Sequence, residues 1–163
     1  MYKQAFLEIK SRHPNYVQIF TDGSKVDEKV AAAAVSSVGP NSPFSCRLRD
    51  HCSVYTAELQ AILFALKQAH QSQERKFMIF SDSLSALQAL GKLKTDHPLL
   101  IQVQDLLQKI DADQKEIIFM WVLDMWLFEA IRLLTKIRQS LALFGLKTFN
   151  CQMYISNLAE RMG

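Results

Sequence analysis

Cysteine is scarce in this chain, with Cys46, Cys52 and Cys151 its only three. They are odd in number and form no CxxC pair, which argues against a disulfide framework or a thiolate zinc site. The four histidines, His13, His51, His70 and His97, have no zinc-ligand spacing either, and each is expected at the surface or in a turn. No charged, then apolar, secretory leader is recognisable at the start, so a reduced intracellular protein is expected, with nucleus and cytoplasm left open. Five glycines and four prolines in 163 residues exclude collagen, low complexity and bulk disorder. A clean apolar run long enough to span a bilayer is missing as well. The nearest approach, Trp121 to Phe144, is broken by Asp124, Glu129, Arg132, Lys136 and Arg138. Neither sign of charge dominates: 19 basic side chains face 16 acidic ones, a net charge of +3 that neither demands nor forbids a nucleic-acid partner. What is plentiful is apolar residues, 49% of the chain. One domain of this length buries roughly 70% of the surface its unfolded form exposes. It needs no metal merely to fold, so any metal would serve chemistry.

Tyr16 to Phe20 (YVQIF) predicts a strand ending at the turn signal Thr21-Asp22-Gly23-Ser24. Val30–Val35 and Phe44–Arg49 predict two more, and the short DGS and GPNSP connections predict an antiparallel meander. The period then changes. Thr56 to Ala69 sets Leu59, Ile62, Leu63, Leu66 and Ala69 on one helical face behind a Thr56 cap. Phe77–Phe80 reads as a buried strand followed by a cap at Ser81-Asp82-Ser83, and a helix continues from Leu84 to Leu90. Pro98 opens a further helix with the stripe Leu99, Val103, Leu106 and Ile110, and Ile117–Val122 predicts a last strand. The order βββαβααβ implies an α/β fold. Its mixed five-stranded sheet has three antiparallel strands, then helix-separated parallel ones, with helices on its faces.

Three carboxylates fall at the ends of these elements: Asp22 after the first strand, Glu58 in the first turn of the long helix, Asp82 after the fourth strand. Each has an ordinary alternative taken singly, Asp22 as a turn residue, Glu58 as a helix-dipole partner, Asp82 as an N-cap. The carboxyl ends of parallel strands form one rim of the sheet, where α/β proteins build sites, and crossover geometry can bring the helix start to it, so a carboxylate cluster is expected there. Like charges there raise one another's pKa unless a divalent cation neutralises them. Mg²⁺ is the natural choice for hard oxygen ligands, with Mn²⁺ as the alternative, and phosphoryl transfer is the chemistry suggested.

In order along the chain, IFTDGSK (Ile19–Lys25), YTAELQAILFAL (Tyr55–Leu66), IFSDSLSALQAL (Ile79–Leu90) and FMWV (Phe119–Val122) resemble a type 1 ribonuclease H. The version fused to reverse transcriptases of non-LTR retrotransposons is the most similar. The resemblance covers about residues 15–122, with residues 1–14 as a linker remnant. It implies a ribonuclease H-like fold in which Asp22, Glu58 and Asp82 are catalytic, metal-binding acids, three of the family's four. The implied reaction is metal-dependent hydrolysis of the RNA strand of an RNA–DNA hybrid, with two ions activating water and stabilising the leaving oxygen. Hybrid recognition would rest on 2′-hydroxyl contacts and backbone shape. Ser24 and Ser83 are the candidate backbone contacts, each otherwise a turn or cap residue. No YxDD-type polymerase motif occurs, and protein partners and oligomeric state are not indicated.

Beyond Val122 the resemblance stops. The family pattern Pro-Gly-His-x-Gly-x-x-Gly-Asn-Glu-x-Ala-Asp, which carries a His loop and the fourth acid, is replaced by LDMWLFEAIRLLTK. Restoring one C after the Val122 codon allows Leu123–Trp126 to be reread as Pro-Gly-His-Val, because ATG-TGG forces the Val. The same frame then forces Arg and permits Gly-Asn and Ala-Ala-Asp, although it cannot restore the Glu. A one-base deletion is inferred, which makes residues 123–163 an out-of-frame tail. Alternatively, the tail is an amphipathic helix with the stripe Leu123, Leu127, Ala130, Ile131, Leu134, Ile137 and Leu141, and Asp124 stands in for the lost acid. Three functions follow: an impaired hybrid ribonuclease, an inactive hybrid-binding remnant, or a protein-interaction module that uses the tail.

Overall fold

Five alternating or wholly apolar runs pair into one sheet in the computed structural model, which describes residues 2–38, 44–92 and 94–122. The elements are α1 (Tyr2–Arg12), β1 (Val17–Val26), β2 (Lys29–Ser36), β3 (Phe44–Arg47), α2 (Val54–Gln71), β4 (Lys76–Ser81), α3 (Leu84–Leu90), α4 (Pro98–Ala112) and β5 (Glu116–Trp121). The sheet order is β3-β2-β1-β4-β5. β1 to β3 form an antiparallel meander, and β4 and β5 run parallel to β1. This is the mixed sheet expected from the sequence and a ribonuclease H-like α/β fold.

β1 is longer than its sequence suggests. It runs through Thr21-Asp22-Gly23-Ser24 and stays paired with β2 as far as Val26↔Lys29, so the turn sits at Asp27-Glu28, with Asp27 at φ 55°. Gly23 mimics a turn signal but serves packing, as the site shows. The parallel ladder with β4 is shorter and ends at Phe20↔Phe80. The two rings stack there at 4.9 Å, and the Thr21 hydroxyl closes the end by donating to the Phe80 carbonyl at 2.9 Å. Past this point β1 has no parallel neighbour, and a notch opens at the carboxyl rim.

α2 lies on one sheet face, and all five residues of its expected stripe are buried there. Alanines Ala32 and Ala34 on β2 face Ala57, Ala61 and Ala65 on α2, and such small side chains let helix and sheet approach closely. Val103 and Ile110 of α4 join this core fully. Leu99 and Leu106 do so partly, and Leu100, outside the expected stripe, is buried. Phe20, Ala31, Ala33, Val35, Met78 and Phe80 form a second core on the opposite face, against which Ile9 of α1 packs. α1 thus occupies the segment expected as a linker. No helix among the described residues is long and apolar enough to cross a membrane. The GPNSP connection, Asp124 and the stripe proposed for the tail lie outside the described residues.

Candidate metal centre

The ordinary alternative for each acid fails on its local structure. Asp22 is in no turn: it sits inside β1, paired opposite Ala33. Glu58 is in no first helical turn, because α2 begins at Val54, two residues before Thr56. The cap is Ser53, whose hydroxyl accepts from the Thr56 N–H at 3.0 Å. Ser and Thr are both competent caps, and Val54 and Tyr55 are helical, so the earlier residue prevails. That moves Glu58 inward, away from the helix terminus and against the sheet. Asp82 is not the N-cap of α3; Ser83 holds that position and accepts from the Ala86 N–H.

Each carboxylate is instead presented to the notch where β1 outruns β4. One oxygen from each of Asp22, Glu58 and Asp82 lies within 4.8 Å of the other two. Among the described residues no other group of His, Cys, Asp and Glu is gathered in this way. Glu58 is 6% exposed, Asp22 half-buried and Asp82 exposed, so the cluster grades from core to solvent.

Gly23 makes the convergence possible. A Cβ at this position would stand 2.6 Å from the Glu58 backbone nitrogen and 2.8 Å from the Ala57 carbonyl carbon, both closer than van der Waals contact. Without it, β1 and α2 touch backbone to backbone, and the Gly23 N–H donates to Glu58 Oε1 at 3.2 Å. The other carboxylate oxygen, Oε2, is buried and has no hydrogen-bond partner. Burial, first, and then the charges of Asp82 and Asp22 push the Glu58 carboxyl well above its ordinary range, against the opposing pull of the Gly23 N–H. A buried, unpaired carboxylate oxygen beside two more acids is costly to keep charged without a cation. The donor set is all hard oxygen, which suits a divalent ion of the Mg²⁺ class rather than zinc. The residues therefore fit a metal of this kind.

The two serines expected at the substrate divide. Ser24 lies half-buried on β1, two residues beyond Asp22 and opposite Ala31. The Ser83 hydroxyl is engaged in capping α3 and also lies 3.4 Å from the Ser85 hydroxyl. Three contributors escaped the sequence reading. Gly23 carries the local signal of a turn, although Ala57 in the TAE run is a trace of the close contact it makes. Thr21 gave no signal of its bond to Phe80. Trp121, whose indole N–H donates to the Asp82 carbonyl at 3.1 Å, stood in a recognisable run but without a role.

A search of the curated proteins returns no match. Comparison with family models matches residues 14–123 to RNase H, a span that contains all three acids and every element from β1 to β5. With that match, and with a 3-2-1-4-5 sheet bringing the acids to one rim, the chain belongs to the RNase H family.

Proposed function

We propose that this chain hydrolyses the RNA strand of RNA–DNA hybrids, using Mg²⁺, or Mn²⁺ in its place, held by Asp22, Glu58 and Asp82. The observation that carries this reading is the buried, unpartnered Glu58 oxygen beside two further carboxylates. When bound, the metal supplies neutralisation of the acids, a water of lowered pKa and charge stabilisation on the scissile phosphate. The chain's own residues supply rigidity and orientation. Glu58 is fixed by burial and by the Gly23 N–H, Asp22 by strand pairing, and exposed Asp82 forms the side of the site open to a substrate backbone. Ser24 is the better placed of the two serines to touch that backbone, because the Ser83 hydroxyl is already occupied as a cap.

The test is cleavage of a labelled hybrid by the full chain, with duplex RNA and duplex DNA as controls. Cleavage should be confined to the RNA of the hybrid, require Mg²⁺, and fall by about 100-fold or more in Asp82→Asn, which removes a ligand at an exposed position. Cleavage that persists in chelator or in Asp82→Asn would overturn the reading.

A second reading is favoured by one observation: the cluster has three acids among the described residues, and the segment after Val122 does not spell the pattern that carries the fourth. A remnant of this kind would bind hybrid and leave it uncut, and the same assay distinguishes the two. Descent from a non-LTR retrotransposon reverse transcriptase and an out-of-frame origin for residues 123–163 belong to the same proposal. Genomic and transcript sequence across codon 122 tests the frame.

A further inference from the structure

Of the three acids, Asp82 alone lies outside a helix or strand. Asp22 is held by the β1–β2 ladder and Glu58 by α2, but Asp82 follows the last residue of β4 and precedes the cap of α3. Its neighbours are secured locally. The Ser83 N–H donates to Ser81 Oγ at 3.2 Å, and the Val122 N–H to the Ser81 carbonyl at 3.0 Å. Trp121 on β5 sends a bond to Asp82's own main chain, its indole N–H donating to the carbonyl at 3.1 Å.

Core packing does not account for that tryptophan. Along β5, Ile117 and Phe119 join the core under α2, and Ile118 and Met120 join the core on the other face. Trp121 joins neither among the described residues and remains 38% exposed. It closes the β4–β5 register opposite Ser81, which brings its indole N–H to the next carbonyl along. A large aromatic more than a third exposed and outside both cores, with its one donor spent on the main chain of a site carboxylate, is explained by that bond better than by core packing.

We propose that Trp121 is a positioning residue for the metal centre. By holding the Asp82 carbonyl from the edge strand, it keeps the most exposed ligand within reach of the two rigid ones. The inference rests on the metal-binding reading of the three acids. Its consequence is that Trp121 sets metal affinity without touching metal, and that its indole senses occupancy of the site.

Two measurements on the full chain test it. In Mg²⁺ titrations followed by melting temperature, Trp121→Phe should move the midpoint about three- to ten-fold higher than wild type, the worth of one hydrogen bond. In the Trp126→Phe chain, where Trp121 is the one remaining tryptophan, added Mn²⁺ should quench the emission, with the midpoint at which it stabilises the fold. The second measurement leaves Trp121 in place and so does not depend on how well Trp121→Phe folds. A Trp121→Phe midpoint within about two-fold of wild type, or Trp121 emission indifferent to Mn²⁺ while the fold is being stabilised, overturns the proposal. A wild-type chain that neither Mg²⁺ nor Mn²⁺ stabilises overturns the metal reading itself, and the role of Trp121 with it.

Discussion

Glu58→Gln should make the metal-free protein more stable. In the native state Glu58 is buried, its Oε2 has no hydrogen-bond partner, and Asp22 and Asp82 oxygens lie within 4.8 Å. A like-charge pair at that distance repels by about 0.9 kcal/mol at the permittivity of water and about 3.5 kcal/mol at the effective value near a protein surface. Asp82 is exposed, which favours the lower end, while desolvation of Glu58 adds to the total. Gln keeps the shape and still accepts from the Gly23 N–H, though it loses the charge-assisted part of that bond, on the order of 0.5–1 kcal/mol. A net gain of about 2 kcal/mol remains, or roughly 4–8 °C in melting temperature for a chain of this size. The sign with pH follows from the raised carboxyl. Below its unfolded value, near 4.5, Glu58 is protonated in both states and adds no penalty. As pH rises through the higher folded value, the native state is forced to ionise it and stability is lost. The wild-type and Gln chains should therefore melt together near pH 4 and separate towards pH 8 in chelator. Mg²⁺ at ten times its dissociation constant should return about 1.4 kcal/mol to wild type and narrow the gap. A Gln variant melting at or below wild type at pH 8 without metal would refute the reasoning, because the site would then hold no electrostatic strain for a cation to relieve.

Gly23→Ala should cost about 1–3 kcal/mol in urea unfolding from overpacking, since the new Cβ meets α2 backbone at 2.6 Å. It should also weaken Mg²⁺ stabilisation, because Glu58 moves with the helix, and a variant that keeps both properties would show that the contact relaxes freely. Lys115→Met tests the far end of α2. The Lys115 ammonium donates to the carbonyls of Ala69, His70 and Ser72 at 2.7–3.0 Å, so its removal should cost about 1–2 kcal/mol of stability. Metal affinity should be unchanged, as this cap lies at the opposite end of the helix from Glu58.

The fold was legible because its period changes are sharp. VAAAAV, FMIF and IIFMW cannot be amphipathic helices, and the Leu59–Ala69 stripe cannot be a strand. What the letters hid were details that depend on a neighbour distant in sequence. Gly23 is a turn residue by local propensity and becomes mid-strand because β2 continues to pair with β1 as far as Val26. Ser53 and Thr56 are equivalent as caps until the partial burial of Tyr55 against the core fixes where the helix begins. Leu100 counts as off the stripe of α4 until α4 is seen to pack against α2. The acids stand out because the letters put each at or near the end of an element, although Asp22 lies inside β1 and Glu58 beyond the first turn of α2, and the letters could not decide between cap, turn and ligand.

The decision comes from pairing arithmetic rather than from any one residue. β1 has two partners of unequal length: β4 leaves it at Phe20, whereas β2 follows it to Val26. The residues between those limits, Thr21 to Ser24 above all, therefore carry one bare edge on the side where β4 turns away into Asp82. A bare strand edge in a buried setting must be met by something polar, and α2 meets it with Glu58, whose Oε1 takes the Gly23 N–H. Satisfying the backbone in this way commits a carboxylate to the interior beside the two acids that flank the notch and leaves its second oxygen buried without a hydrogen-bond partner. The unequal ladders, the missing Cβ and the buried acid are thus a single structural choice. A divalent cation could relieve its cost, since the bond that completes the sheet holds a carboxylate where either a proton or a bound cation neutralises its charge.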